Sequence, residues 1–407
     1  MSPIEEKFAK LSTDHAPGQE VRQHQGGLES LLRGDNLSGT PVDFSHGDVN
    51  NSAFVPTPGS LEEFIEGVER GGEQAYTEYR GGAELRDRVA AHLAAFTCQP
   101  LSGANELIIT PGTQSALFLA IAATVTVGDK VAIVRPDYFA NRKLVEFSGG
   151  EVVPVRLDYL DNTASAGIDL NQLEEAFKAG VKTFLFSNPN NPTGVIYSKD
   201  EIEQIAGLAN RYGAIVIVDQ LYSRLLYTGV TYTHLRASGI NADNVVTIMG
   251  PSKTESLSGY RLGVAFGPKR LVDRMEKLQA IVSLRAPGYC QAVLRTWFEE
   301  PEGWMQERIA QHQAIRDDLF GLLCSVDGMA ARVPEAGSYL FPRLPAMSVS
   351  LHDFIRILRH QAGVIVTPGT EFSPTATDSI RLNFSHNHAD AVQAVERTAQ
   401  LINRYRA

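Results

Sequence analysis

The sequence predicts an α/β protein: a large domain on a mostly parallel sheet flanked by helices, plus a smaller α+β domain. Three observations carry this. Short, β-branched apolar runs recur: LIIT at 107, VAIVRP at 131, TFLFSNP at 183, AIVIVD at 214, VVTIM at 245 and RLGVAFG at 261. Longer helical segments separate them, the pattern of a parallel sheet covered on both faces. After about residue 300 the alternation gives way to helices and short strands, and 407 residues is length enough for a second domain.

In chain order, residues 1–46 are polar with scattered Gly and Pro and one short amphipathic piece near Gly27 to Arg33; they read as an N-terminal arm and part of the small domain. SHGDVNNSAFVPTPG at 45–59 is turn-rich and suited to lining a site. SLEEFIEGVERGG reads as a helix opening on Ser60, with Glu63 completing a capping box. YTEYRGGAELRDRVAAHLAAF, from 76, is a loop with paired glycines and then a helix with Leu85, Val89, Leu93 and Phe96 on one face. The large domain is expected over 47–299 and the small C-terminal domain over 300–407. The latter holds a long helix at 302–324, SYLFPRL, a helix at 350–361, GVIVTPG, SIRLNFSH and a terminal helix.

Composition bounds the function. Hydrophobic residues at 43% and charged residues at 21% are ordinary for a globular protein, and a net charge of −10 argues against a nucleic-acid surface. Cys98, Cys290 and Cys324 are odd in number and far apart, which fits a reducing, cytoplasmic setting rather than a disulfide framework or metal cluster. The N-terminus lacks the apolar core of a secretory signal, and no run of eighteen apolar residues exists, so a soluble chain without membrane partners is expected.

The chemistry gathers where predicted strands run into polar turns: TPGTQ, RPDYF, SNPNNPTG, VDQLY and MGPSK. In open α/β sheets ligands sit outside the carboxyl ends of strands. Lys253, delivered by a strand end into a Ser/Gly-rich turn with Arg261 eight residues on, suits an enzyme that binds an aldehyde cofactor through the amine and clamps its phosphate with the guanidinium. Alone, a lysine in a polar loop such as Lys253 usually reads as a solvated surface charge. Gly112, Thr113 and Gln114 at a helix start can bind a phosphate or form a plain N-cap. Tyr138 can lie against an aromatic cofactor or pack in the core, and no GxGxxG or GxxxxGK[ST] string competes. SNPNNPTG, 187–194, is the most specific string and presents Asn191 as a donor for a phenolic oxygen.

With that string the chain resembles the class I/II aminotransferases, the fold type I pyridoxal phosphate enzymes related to aspartate aminotransferase. The resemblance implies a seven-stranded sheet and pyridoxal 5′-phosphate as cofactor. It implies that Asp219 of VDQLY pairs with the protonated pyridine nitrogen and that Tyr222 hydrogen-bonds the ring oxygen beside Asn191. It makes Lys253 the Schiff-base lysine, Arg261 the phosphate arginine, and Arg381 of SIRLNFSH the anchor of the substrate α-carboxylate. Tyr76 would reach the phosphate of a neighbouring subunit, implying a homodimer with shared active sites, and Gly47 sits on the substrate side.

Two positions depart from the family pattern. Gly250 stands where a hydroxyl residue is frequent, so that phosphate contact is either absent or supplied by Ser252; Gln220 replaces a common acidic residue. Arg285 lies where dicarboxylate-specific members carry an arginine for the distal carboxylate. His386 and His388 lack a third ligand, so no metal is expected.

The expected activity is transfer of an α-amino group between an L-amino acid and a 2-oxo acid, with Lys253 as the base that removes and returns the α-proton. A pyridoxal phosphate lyase or cyclising enzyme would keep the same cofactor residues and is the alternative. A remoter one, an effector-sensing regulator, would need a DNA-reading module for which the polar N-terminal stretch leaves little room.

Overall fold

The structure, a computed structural model, describes residues 2–407 except 12, 14, 15, 18, 20–25 and 47–52, with the backbone alone at 73 and 74. Its centre is a seven-stranded sheet in the order Leu107–Pro111, Leu262–Phe266, Val245–Met249, Ile215–Asp219, Thr183–Ser187, Lys130–Arg135, Glu151–Arg156. Leu262–Phe266 alone runs against both of its neighbours; the other pairings are parallel. Six strands are the runs read from the sequence. The seventh, Glu151–Arg156, went unread because it is an edge strand that buries only Val155 and carries Pro154.

Strands buried on both faces feed two cores through alternate residues. Phe184, Phe186, Val216 and Val218 pack with Leu173 and Phe177 of helix Leu170–Lys178 and with Ile202 and Ile205 of helix Lys199–Tyr212. Leu185, Ile217, Val246 and Ile248 pack with Leu117 and Ile121 of helix Thr113–Thr124 and with Leu271 and Met275 of helix Lys269–Val282. At the far edge, helix Ala83–Thr97 sets Leu85, Val89 and Leu93 on Leu107, Ile109 and Trp297, with Phe96 partly buried beside them. Each such side chain contributes roughly 1.5–3 kcal/mol by leaving water.

A separate core holds Ile315 and Leu319 of helix Trp304–Cys324, Phe354 of helix Leu351–Ile357, Leu382, and Val395 and Leu401 of helix His388–Tyr405. Val42–Asp43 pairs in parallel with Val364–Ile365, and Ile380–Asn383 lies between Thr367–Pro368 and Tyr339–Leu340 in an antiparallel sheet. Leu28, Val42 and Phe44 join this core from the N-terminal side.

Two local expectations change. Gly27 to Arg33 forms turns; its amphipathic signal comes from Leu28, Leu31 and Leu32 facing the core without a helix. The helix Ser60–Glu69 is capped by Gly59 in the left-handed region (φ 83°), with no side-chain cap, because Ser60 already lies inside the first turn. Earlier, helix Pro3–Ala9 does open on a capping box, Ser2 with Glu5, and sets Phe8 edge-on against Phe147 at 6.0 Å.

Candidate active site

The register delivers three strand ends to one edge: Ser187 is opposite Asp219, and Asp219 opposite Ile248. Because Leu262–Phe266 is reversed, its start lies at that same edge, and Arg261 immediately precedes it. A cavity of about 490 Å³ opens there. Thr113, Gln114, Tyr138, Asn191, Asp219, Tyr222, Ser252, Lys253, Arg261 and Arg381, all singled out in the sequence, line it.

One end is a phosphate-sized cradle. Gly112 (φ 84°) caps helix Thr113–Thr124, and a Cβ built on it would stand 2.4 Å from the Arg261 guanidinium. The left-handed backbone there favours glycine, and Arg261 stands beside the start of the helix, whose first N–H groups are unpaired. Arg261 donates to the Ser258 carbonyl at 2.8 Å, and Ser252 Oγ donates to the Leu262 carbonyl at 3.3 Å. Gln114 Oε1 accepts from the Tyr138 hydroxyl at 2.9 Å, joining the helix start to the aromatic wall.

Deeper in the cavity, burial pushes the Asp219 carboxyl up to about 6, and its Oδ1 accepts from the Leu221 backbone N–H at 3.0 Å. A carboxylate so poorly solvated calls for a cationic partner. The Tyr222 hydroxyl lies 2.5 Å from that of Tyr339. Behind them, Asp137 was passed over in the sequence although it precedes Tyr138. It is 2% exposed and pushed up to about 7, chiefly by burial. It accepts from the Tyr138 N–H at 2.6 Å, the Ser187 N–H at 3.0 Å and the Ser187 hydroxyl; Ser187 Oγ in turn accepts from the Asn191 N–H at 3.1 Å. Asp137 thus fixes the turn that carries Asn191.

At the opposite wall Arg381, 1% exposed, donates to Asn191 Oδ1 and to the Ser45 carbonyl, each at 3.0 Å. Its guanidinium sits 4.2 Å from the Tyr339 ring centre and 4.7 Å from that of Phe372. Its Nε is buried with no hydrogen-bond partner, and no carboxylate among the described residues pairs with it. A buried fork with a spare donor matches a carboxylate brought in from solution.

The turn carrying Lys253 is braced from below. Arg308 of helix Trp304–Cys324 donates to the Thr254 carbonyl at 3.1 Å, to Ser256 Oγ at 2.6 Å and to the Val55 carbonyl. Glu255, 1% exposed, pairs with Arg224 and accepts from Trp297 Nε1 at 3.2 Å. None of these supports was legible, since their partners lie far apart in sequence.

Not every expected residue meets here. Gly47 lies outside the described residues; nearby, the His46 carbonyl accepts from Asn383 Nδ2 at 2.7 Å. Tyr76, 68% exposed, and Arg285 are absent from the cavity wall; instead they meet each other, guanidinium to ring centre 3.4 Å. Leu61, Ile65, Val68, Ile281, Val282 and Leu284 are also exposed. Gln220 is buried, its Oε1 3.2 Å from Nδ1 of His234, which burial drives down to about 4 and so keeps neutral. His388 pairs with Asp318 at 2.8 Å, and His386 lies edge-on to Phe44 at 5.3 Å. No group of three metal-ligating side chains occurs among the described residues, and no helix among them is long and apolar enough to cross a membrane.

These features fit pyridoxal phosphate: an anion cradle, an amine, a buried acid wanting a cation, and a flat aromatic wall. The family model for aminotransferase class I and II matches residues 41–397. A putative aminotransferase, YugH, of Bacillus subtilis is 30% identical over 341 residues, 82% of this chain and 86% of that protein. An aspartate aminotransferase of Sulfolobus acidocaldarius is 28% identical, covering 82% and 84% of the two chains. A solved aspartate aminotransferase structure from Rhodobacter sphaeroides superposes with a TM-score of 0.95 at 62% identity, covering 99% of this chain and 100% of that one. Together the match and the cavity favour transamination over the lyase, cyclising and regulatory alternatives. The chain belongs to the class I and II aminotransferases, and is a pyridoxal-phosphate-dependent enzyme that moves amino groups between amino acids and 2-oxo acids.

Proposed function

We propose that the amino donor is a dicarboxylic L-amino acid, aspartate first, and that the residues gathered at the sheet edge take the roles the family resemblance implies. The observation that carries this is that Lys253, Asp219 and Arg381 line one cavity, with Arg381 buried and lacking a carboxylate partner among the described residues. The 62% identical Rhodobacter sphaeroides protein, described as an aspartate aminotransferase, supports the choice of substrate.

When bound, pyridoxal phosphate supplies an aldehyde carbon that takes the amino group and a ring that withdraws electrons. The chain's own residues do the rest. The N-terminus of helix Thr113–Thr124, Ser252 and Arg261 hold the phosphate. Asp219 keeps the ring nitrogen protonated, and Tyr138 covers the ring. Asn191, its Oδ1 already engaged by Arg381, offers its NH₂ group to the ring oxygen beside Tyr222. Arg381 takes the α-carboxylate through its fork, and Lys253 Nζ removes the proton from Cα and returns it.

A second chain covers the exposed face of Leu61, Ile65, Val68, Ile281 and Val282. It receives Tyr76 at its phosphate and, stacked on Tyr76, Arg285 for the distal carboxylate. The divisions at 46/47 and 299/300 remain our domain assignment, supported by the separate core of Ile315, Phe354 and Leu401. Three free thiols support a cytoplasmic setting.

The test is an absorption spectrum of the holoenzyme with single L-amino acids and no oxo acid. Conversion of the visible band by aspartate, with stoichiometric oxaloacetate, is expected. Release of ammonia, or conversion by apolar amino acids but not aspartate, overturns the substrate reading.

A further inference from the structure

We propose that Tyr339 is a positioning residue for the cofactor: its hydroxyl donates to that of Tyr222, fixing and polarising the phenol that serves the ring oxygen. The inference rests on the cofactor roles just assigned.

Tyr339 is 2% and Tyr222 5% exposed, and their hydroxyl oxygens are 2.5 Å apart, so each phenol is held in place by the other. The rings meet edge-on, 77° between planes and 5.4 Å between centres. Gly337 makes this approach possible. It is left-handed (φ 72°), and a Cβ there would stand 3.3 Å from the Tyr222 ring. On the other side, Tyr339 is opposite Asn383 in the sheet, so its side chain shares a face with Arg381, whose guanidinium lies 4.2 Å from the Tyr339 ring centre. Tyr339 therefore touches both the residue that serves the ring oxygen and the residue that serves the substrate carboxylate.

A phenol has one proton and two lone pairs. If Tyr222 directs its proton at the ring oxygen, its own oxygen can still accept, and Tyr339 is the donor within reach. A donor behind a donor strengthens the forward hydrogen bond in a low-dielectric site. Loss of the Tyr339 hydroxyl weakens the hydrogen bond on the ring oxygen, which then carries more charge. With pyridoxal phosphate bound, Lys253 Nζ would then hold its proton more tightly beside that oxygen and would titrate at higher pH.

Tyr339→Phe keeps the ring under Arg381 and removes only the hydroxyl. The visible band of the holoenzyme is titrated with pH in wild type, Tyr339→Phe, Tyr222→Phe and the double variant. In Tyr339→Phe the midpoint is expected to rise by about 0.4–1 pH unit, the equivalent of one net hydrogen bond. KM for the amino acid should change by less than about threefold, since the Arg381 contact is kept. In the Tyr222→Phe background the further rise should be under about 0.2 unit, because coupled residues are not additive. An unchanged midpoint overturns the proposal. So does an equal rise in the Tyr222→Phe background, or a Tyr339→Phe protein without a visible band while Tyr222→Phe keeps one. A wild-type protein without any such band would count against the cofactor roles themselves.

Discussion

A Cβ built on Gly250 stands 2.8 Å from the γ-methyl of Thr113, and 3.1 Å from the Gly263 Cα. The departure from the family pattern at 250 is thus matched by Thr113, which fills the space where a hydroxyl side chain would lie. Gly250→Ser is expected to destabilise the protein by about 1–3 kcal/mol through overpacking. Adding Thr113→Ala should recover a large part of that loss; chemical denaturation of the single and double variants measures it.

Lys253→Ala should fold as wild type by circular dichroism yet lose at least ~10⁴-fold in turnover, since one side chain both holds the cofactor and moves the proton. An active variant would falsify the assignment.

Asp219 gives a pH signature without cofactor. Its carboxyl rises from an ordinary 3.8 to about 6 through burial, so the folded apoprotein holds this proton more tightly than the unfolded chain. The group therefore costs nothing well below pH 4 and removes stability as pH climbs from about 4 to 6, up to about 3 kcal/mol. Asp219→Asn should flatten that part of the slope, so the apoprotein melting-temperature gap between variant and wild type widens with pH over this window. Bound cofactor, by pairing the carboxylate, should close much of the gap.

At Arg381, lysine keeps the charge but not the fork that bonds Asn191 and the Ser45 carbonyl together. Arg381→Lys is expected to raise KM for the amino acid by about 10²-fold. The cofactor band in the absence of substrate should stay in place; its loss would assign Arg381 to the cofactor instead.

Leu61, Ile65 and Val68 recur at helical spacing on the outer side of helix Ser60–Glu69, and Ile281 and Val282 are likewise exposed. Sedimentation should give a two-chain particle, and Ile65→Asp with Val282→Asp should yield single chains with weak cofactor binding and little activity. A fully active single chain would refute shared sites.

The central strands were legible because residues such as Val216, Ile217 and Val218 are buried on both faces and leave an unbroken apolar run. Glu151–Arg156 was not, since an edge strand interleaves exposed residues and tolerates Pro154. The placement of the site was legible where polar residues stand at strand ends, as at Asp219, Lys253 and Arg261, which line one cavity. Asp137, Arg308 and Tyr339 escaped because their roles are defined by partners 50 or more residues away, at Ser187, Thr254 and Tyr222. SYLFPRL looks like any core strand until Arg381 is seen lying on its tyrosine.

The reversal of one strand sets a length standard in the molecule. A parallel strand after Val245–Met249 would leave Arg261 at the wrong edge. The antiparallel return instead lets the seven residues 254–260 join amine to guanidinium directly. On the roles proposed above for Lys253 and Arg261, that tether is a built-in gauge for one cofactor. Insertions within it would change which ligand fits between the two cations, whereas Arg381, borne on another sheet, can be repositioned for new substrates without recutting the gauge.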